Sequence, residues 1–339
     1  MPFTIVRNTI AAMAVDVIVN AANSELKKGS GVCLDIFTNA GEVNMEQACS
    51  EFGMQEEGSV IVTPGFSLPC RYVFHAVGPV WKGGKQGEPQ LLKQCYQRSL
   101  ELACEHQATS IAFPLISTGA LGFPKSTAMH IAVSAITAFL LEHELSVFLA
   151  VFDETSFLLS RKLYNDIQTF IDSRSVEAHL RLSTIEEEYW SRRRQARTIS
   201  FRKPKHRDLE DSLQVLEKSF SRRLFELISQ NQLDEVAVYK RANIDRKLFS
   251  KIRSIDSYQP SKTTAAAFAV ALELDLEETQ DLLRRAGFSL SASRTFDVII
   301  EYCISRGKYN IHEINEILFS FGQPLLGGQM SPPERPPRS

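Results

Sequence analysis

Two glycine-bearing turns, each set between an apolar run and a helical pattern, constrain this chain more than any other feature. The first follows the apolar run that ends in NAAN at 20–23 and contains residues 29–32, and the second covers residues 117–122. A turn without Cβ atoms lets backbone N–H groups converge on an anion, and the N-terminus of the next helix adds a favourable dipole. Two such turns predict a site that holds a diphosphate from both sides.

Short runs of β-branched and aromatic residues recur through the first 152 residues, with helical patterns between most of them. The runs are Val17–Val19, Val60–Val62, Tyr72–Phe74, Ile111–Phe113 and Val147–Leu149. Continuous apolar strands that alternate with helices predict a mostly parallel sheet covered on both faces. Helices are predicted over Leu91–Glu105, from Pro124 onwards, and over Ser156–Ile171 as the last element of this domain. Because open sheets of this kind bind ligands beyond the carboxyl ends of their strands, both turns are expected there.

Three motifs in a fixed order resemble the macrodomain family of ADP-ribose binders: VDVIVNAAN at 15–23, GPVW at 78–81 and PLISTG at 114–119. The resemblance implies an α/β fold, a three-layer α/β/α domain with a mostly parallel mixed sheet, over residues 1–172. It implies ADP-ribose or an ADP-ribosylated protein as ligand, with no cofactor and no metal. It also implies hydrolysis of ADP-ribosyl bonds, as by a protein-ADP-ribose hydrolase or an O-acetyl-ADP-ribose deacetylase. A non-catalytic ADP-ribose sensor is the alternative.

The resemblance assigns residues to parts of the ligand. Asn23 would hold the hydroxyls of the distal ribose, although an asparagine here can also simply close the turn after the strand. Phe152 would stack on the adenine, with a plain core phenylalanine as the alternative. The expected ligand contacts are Thr9, Ile10, Ala22, Asn23, Gly29, Ser30, Gly31, Val32, Ser117, Thr118, Gly119, Ala120, Leu121, Gly122, Phe123 and Phe152.

Three positions depart from the pattern common among macrodomains. Thr9 stands where relatives carry an aspartate that accepts from the adenine amino group, and a neutral hydroxyl is the weaker acceptor. Cys33, ten residues after Asn23, stands where one class of hydrolases has an aspartate that helps activate water. A thiol cannot replace a carboxylate as general base without a perturbed pKa, and Asp35 would point elsewhere on a helix. Leu121 replaces an aromatic residue, for which the phenylalanine two positions later could compensate. The catalytic candidates are therefore Asn23, with Cys33 and Asp35 behind it.

Composition sets further limits. A chain of 339 residues is too long for one ordinary core and suits two domains. The net charge of −2 gives no global field toward nucleic acid or membrane. The six cysteines form no CxxC pair, the N-terminus lacks the pattern of a secretory peptide, and the most apolar region, 128–152, is interrupted by polar residues. These features predict a cytoplasmic protein without a membrane span.

Residues 173–215 are charged and rich in arginine. They are predicted to form a basic linker, with an arm that follows nucleic-acid phosphates as the alternative. The proline-rich residues 328–339 are predicted to be a disordered tail.

Residues 216–327 show a purely helical pattern, and its spacing resembles the helix-turn-helix domain of phage-repressor-like regulators. The turn would be Ala242-Asn243-Ile244, with Asn243 in the left-handed conformation. The recognition helix would run from Asp245 to about Ser254. The candidate DNA-binding residues are Arg246, Lys247, Ser250, Lys251 and Arg253. A protein-binding or oligomerising bundle of the same shape is the alternative.

Overall fold

The computed structural model describes residues 3–151, 163–174, 177 and 219–327. The chain divides into two compact units. The first joins Met1–Leu159 with Tyr239–Arg246 and Leu325–Ser339, and the second joins Ser160–Val238 with Lys247–Pro324. Phe152, most of the linker 173–215 and the tail 328–339 lie outside the described residues. No described helix is both long enough and apolar enough to cross a bilayer.

The first unit is built on a six-stranded mixed sheet. Its strands are β1 (Phe3–Val6), β2 (Val17–Ala22), β3 (Val60–Pro64), β4 (Tyr72–Val77), β5 (Ser110–Pro114) and β6 (Ser146–Ala150). Their spatial order is β1-β6-β5-β2-β4-β3, and every neighbouring pair is parallel except β3 with β4. Each of the five apolar runs forms a strand, which confirms the predicted fold class.

Helices cover both faces of this sheet. They are α1 (Val32–Ala40), α2 (Glu42–Ser50), α3 (Glu88–Glu105) and α4 (Lys125–Glu142), with a single 3-10 turn at Ile10–Ala12. Ile18 of β2 packs into one core with Phe37 of α1 and Met45 of α2. Val17 and Val19, which point to the opposite face because side chains alternate along a strand, are also fully buried. Both faces of the central strand are therefore dry, as parallel sheets require.

Three details of these helices were not given by the sequence pattern. The helix expected from Leu91 begins at Glu88 with Pro89 in its first turn, because proline has no N–H to leave unpaired there. Pro124 is the N-cap of α4 rather than its first residue. Gly41, at a φ of 96°, separates α1 from α2, a break that the helical pattern did not reveal.

After the sheet, the described chain is entirely helical between loops. The helices are α5 (163–174), α6 (Phe220–Gln230), α7 (Glu235–Arg241), α8 (Arg246–Ser254), α9 (Lys262–Ala271), α10 (Leu276–Arg285), α11 (Thr295–Ser305) and α12 (Ile311–Ser320). A capping box opens α10: Glu278 N–H donates to Asp275 Oδ1 at 2.8 Å, and Asp275 N–H donates to Glu278 Oε2 at 3.4 Å. α5, the described part of the helix expected to close the first domain, belongs to the second unit.

The turn between α7 and α8 belongs to the first unit, where Asn243 binds the edge strand β1. Asn243 has a φ of 54° and is 6% exposed. Its Oδ1 accepts from Phe3 N–H at 2.7 Å, and its Nδ2 donates to the Phe3 carbonyl at 2.8 Å. The side-chain amide therefore pairs with main-chain groups of an edge strand.

Asn243→Gly tests this contact. Glycine adopts the left-handed conformation without strain, so only the two hydrogen bonds are lost. The buried donor and acceptor of Phe3 then cost about 1–3 kcal/mol, and we expect the Phe3 amide hydrogen to exchange faster with solvent, as measured by NMR. Gln232→Gly is the matched control, because Gln232 is also left-handed, at φ 52°, but its side chain is exposed. Equal exchange at Phe3 in both variants would contradict the assignment.

Candidate functional site

Three loops leave the sheet at one edge. β5, β2 and β4 are parallel neighbours, so their carboxyl ends meet at the same edge and deliver the loops 23–31, 78–87 and 115–124 to it. This is the topology in which open α/β sheets place ligands. The two glycine-bearing loops follow β2 and β5, and the GPVW loop follows β4.

The first loop is held by Asn23. Its Nδ2 donates to the Lys27 carbonyl at 2.8 Å, and its Oδ1 accepts from Lys27 N–H at 3.1 Å. The turn-closing interpretation of Asn23 is therefore part of the structure. An amide side chain has two N–H donors and two acceptor lone pairs, so one of each remains for a ligand.

The first loop ends in a run of unpaired amides. In the described part of the chain, no acceptor pairs with the backbone N–H of Ser30, Gly31, Val32 or Cys33. Gly31 is the N-cap of α1 with a φ of 60°, and a Cβ added to it would meet no atom within 4 Å. The free amides sit at a helix N-terminus, where the dipole favours a negative charge.

The second loop also contains a run of unpaired amides. Gly122 N–H donates to the Gly119 carbonyl and Phe123 N–H to the Ser117 carbonyl, both at 3.0 Å, which folds the loop back on itself. The amides of Gly119, Ala120 and Leu121 have no acceptor among the described residues. Gly119 has neither a left-handed φ nor any atom within 4 Å of an added Cβ. The fold itself therefore does not require glycine at 119. A glycine there is consistent with a need to leave space for a ligand.

The third loop braces the second. A Cβ at Gly78 would overlap Ser117 Oγ, so the two loops are in contact. Ser117 itself has a φ of 65° and is buried. Trp81 N–H donates to the Leu121 carbonyl at 2.9 Å, and the Trp81 and Phe123 ring centroids lie 4.6 Å apart. Phe123, one of the expected ligand contacts, is only 2% exposed and packs on Trp81.

Glu88 organises the third loop. It is buried, and its carboxylate accepts from the amides of Lys82 at 3.0 Å, Gly84 at 3.0 Å and Gln86 at 2.6 Å. Its own amide and those three N–H groups hold the pKa of the Glu88 carboxyl below its usual value. Sequence reasoning missed this residue. The glycine-rich stretch ahead of a helix with glutamate at its first position was the available signal.

A buried polar cluster lies beneath the first loop. His75 Nδ1 is 3.1 Å from Asn20 Nδ2, and His75 Nε2 is 2.9 Å from Thr63 Oγ1. Asn20 Nδ2 also donates to Cys33 Sγ at 3.6 Å, and Cys33 donates to the Lys27 carbonyl at 3.8 Å. Burial lowers the pKa of His75 to about 4, so the imidazole is neutral near pH 7.

The remaining predicted contacts differ in their placement. Thr9 is exposed just before the 3-10 turn, whereas Ile10 and Ala22 are buried in the core. Asp35 lies on α1, and its carboxylate accepts from Asn39 Nδ2 at 2.9 Å, one turn further along the helix. Cys33 and Asp35 therefore do not combine into an acid–base pair. No group of three or more metal-ligating side chains occurs among the described residues.

The candidate DNA-binding residues all lie on α8. Arg246, Lys247, Ser250, Lys251 and Arg253 are exposed. Phe249 and Ile252 on the same helix are buried. Arg253 forms an ion pair with Glu235 and lies over the Phe225 ring, and Lys251 lies over the Tyr258 ring. Arg253 and Lys251 thus already contact other residues of the second unit.

Comparison with known proteins identifies the first unit. The Macro domain family model matches residues 19–132, which contain all three loops. A macro domain-containing protein of Methanosarcina mazei is 45% identical over 149 residues, 43% of this chain and 79% of that protein. The O-acetyl-ADP-ribose deacetylase of Escherichia coli K12 is 41% identical over 165 residues, 47% of this chain and 93% of that protein. The solved Oceanobacillus iheyensis macrodomain with ADP is 38% identical and covers 45% of this chain and 84% of that one, with a TM-score of 0.43.

The Glu88 contacts predict a pH-dependent third loop. A carboxyl with a lowered folded pKa stabilises the fold above its ordinary pKa of 4.5, and this contribution is lost as pH falls through the folded value. We expect the amide chemical shifts of Lys82, Gly84 and Gln86 to stay constant from neutral pH down to about 5 and to move together below that.

Glu88→Gln should remove this titration and leave the loop amides near their acid-state shifts at every pH. Glu101→Gln, on the exposed side of the same helix, is the control and should behave as wild type. If the loop amide shifts of Glu88→Gln equal those of wild type at every pH, the carboxylate does not organise the loop.

Proposed function

The chain belongs to the macrodomain family, and we propose that its two glycine loops bind ADP-ribose or an ADP-ribosylated ligand through the diphosphate. The observation that carries the proposal is the pair of unpaired amide runs at one edge of the sheet, Ser30–Cys33 and Gly119–Leu121. The Escherichia coli relative, aligned over 93% of its length, is named an O-acetyl-ADP-ribose deacetylase, which supports the ligand class.

The diphosphate would lie between the two amide runs. Each hydrogen bond to a charged group contributes about 1.5–3 kcal/mol, and a helix N-terminus adds about 0.3–1 kcal/mol for a nearby anion. Main-chain donors need no side-chain ordering and cannot lose their proton. Glycine at 31 and 119 keeps the space above the amides open. Phosphate affinity therefore depends on backbone shape rather than on a lysine or arginine.

The distal ribose would reach Asn23. Its remaining N–H and lone pair suit two vicinal hydroxyls, one as acceptor and one as donor. Because Lys27 fixes the side chain on both sides, Asn23 presents these groups without further loss of rotamer freedom. Preorganisation of this kind raises affinity by reducing the ordering cost on binding.

The proposed reaction is hydrolysis at the distal ribose, of an O-acetyl ester or of an ADP-ribosyl bond to protein. In the ester case, water adds to the acyl carbon, one of its protons is transferred to the leaving ribose oxygen, and the products are ADP-ribose and acetic acid, which ionises to acetate. Cys33 has no carboxylate, and the Asp35 carboxylate is bound to Asn39. The proton acceptor would then be a phosphate oxygen of the substrate, with Asn23 orienting the ribose.

Gly119→Val tests the binding site. Residue 119 is exposed and its φ suits any residue, so the fold should tolerate valine while the side chain fills the ligand space. We expect at least a tenfold loss of ADP-ribose affinity by calorimetry, equal to about 1.4 kcal/mol, with an unchanged melting temperature. Ser30→Ala is the control, because only the amide of residue 30 is used, and it should stay within about twofold. Wild-type affinity in Gly119→Val would refute the diphosphate site.

Cys33→Asp tests the catalytic account. A positioned general base contributes about 10²- to 10⁴-fold to a rate, so a carboxylate at this position should raise kcat for O-acetyl-ADP-ribose by at least about tenfold. In Cys33→Asn the side chain has the shape of aspartate without its basicity, so kcat should not rise. The assay follows release of acetate. Equal rates for the two variants would show that position 33 does not reach the water.

A non-catalytic sensor is the second candidate, in which the same pocket binds ADP-ribose and the helical part binds DNA or a protein. The thiol at 33 and the exposed Arg246 and Lys247 on α8 favour it. Its test is the affinity of the full chain for duplex DNA with and without ADP-ribose, since coupling between sites must appear as a changed binding constant. Hydrolysis by the wild-type protein would exclude the sensor-only version.

A further inference from the structure

Four groups beneath the first loop form a continuous hydrogen-bonded chain from the core to the surface: His75, Asn20, Cys33 and the Lys27 carbonyl. The links measure 3.1 Å, 3.6 Å and 3.8 Å in that order, with sulfur in the two longer ones. Asn20 and His75 are fully buried, and Cys33 is 5% exposed. We call this set the Asn20 relay.

The chemistry of the groups fixes the direction of each link. Asn20 Nδ2 can only donate, so His75 Nδ1 accepts and its Nε2–H donates to Thr63 Oγ1, 2.9 Å away. The second hydrogen of Asn20 Nδ2 points to Cys33 Sγ. Cys33 therefore directs its own S–H to the Lys27 carbonyl. Burial keeps His75 neutral, so Nδ1 can remain an acceptor around neutral pH.

The outer end of the relay meets the ligand-facing asparagine. The Lys27 carbonyl accepts from Asn23 Nδ2 at 2.8 Å as well as from the Cys33 thiol. The same main-chain group thus holds both the relay and Asn23. A shift of this carbonyl would turn the remaining N–H and lone pair of Asn23 away from a ligand.

Packing alone does not explain Asn20. Its Oδ1 is buried without a partner among the described residues, and an unsatisfied buried acceptor costs about 1–3 kcal/mol. An apolar residue of similar volume would avoid that cost. The two donors on Nδ2 are what this position supplies: one is aimed at His75, and the other at Cys33, whose thiol contacts the Lys27 carbonyl.

We propose that Asn20, His75 and Cys33 are positioning residues that orient Asn23 toward the second ribose of the ligand. Cys33 then acts through its hydrogen bonds and not as a base or nucleophile. The relay makes the site selective for a diphosphate that carries a distal ribose over a plain nucleoside diphosphate. This inference rests on the proposed function and specifies which residues give that site its substrate class.

The test compares two ligands that differ only in the distal ribose, ADP-ribose and ADP, by calorimetric titration of the full chain. Cys33→Ala cannot accept from Asn20 or donate to Lys27, so ADP-ribose affinity should fall at least fivefold while ADP affinity stays within twofold. Cys33→Ser keeps a donor and an acceptor and should restore ADP-ribose affinity to within twofold of wild type.

Asn20→Leu is the second variant, because leucine fills the same volume and removes both donors. It should show the same selective loss as Cys33→Ala. If it does not fold, the Cys33 pair decides alone. Cys95→Ala is the matched control, since Cys95 is a buried thiol that also donates to a main-chain carbonyl, that of Val77 at 3.4 Å. Its ratio of ADP-ribose to ADP affinity should equal that of wild type.

The outcomes separate the two proposals. Equal loss of both ligands in Cys33→Ala, or no loss of either, overturns the positioning role while the binding site stands. A serine variant as weak as alanine overturns it as well. A wild-type protein that binds neither ligand refutes the proposed function, and the positioning role falls with it.

Discussion

The site depends on backbone amides that the fold leaves without internal partners. A buried sheet pairs almost all of its main-chain groups, and the helices do the same except at their ends. Here the parallel order of β5, β2 and β4 brings two runs of unpaired amides to one edge: Ser30–Cys33 at a helix end and Gly119–Leu121 in a loop. A change in strand order would remove the site altogether.

The other interactions around the edge hold the amide runs in place. Asn23 closes the first loop on Lys27. Trp81 and Gly78 contact the second loop, and the Glu88 carboxylate accepts from three amides of the third loop. A carboxylate, an amide and an indole thus each satisfy or brace main chain near the ligand position. Rigidity obtained in this way lowers the ordering cost of binding.

Local patterns in the sequence predicted most of the fold, because they act within a few residues. The β-branched runs form strands, and the helical pattern over 216–327 forms helices. The glycine turns were recognisable for the same reason. Asn243 shows where such reasoning stops. Its left-handed turn was predicted, but its two bonds to Phe3 join residues 240 positions apart. Glu88 and the Asn20 relay likewise depend on which elements meet in space. The periodicity of apolar residues in the sequence does not show such contacts.

Cys33 illustrates how the structure changed the interpretation of one residue. In the sequence, Cys33 stands where one class of hydrolases has an aspartate, and the absence of that carboxylate weakens the case for catalysis. In the structure its thiol receives a hydrogen bond from Asn20 and gives one to Lys27. It therefore has a defined part in shaping the first loop, whether or not the site performs hydrolysis. The role of Cys33 in ligand binding is therefore a separate question from its role in hydrolysis.

The most direct test of the central claim is an NMR titration of the full chain with ADP that follows backbone amide shifts. The account predicts that the amides of Ser30–Cys33 and of Gly119–Leu121 move together and saturate with one dissociation constant. Shifts confined to a single loop, or two loops that saturate at different ligand concentrations, would contradict a diphosphate held between them.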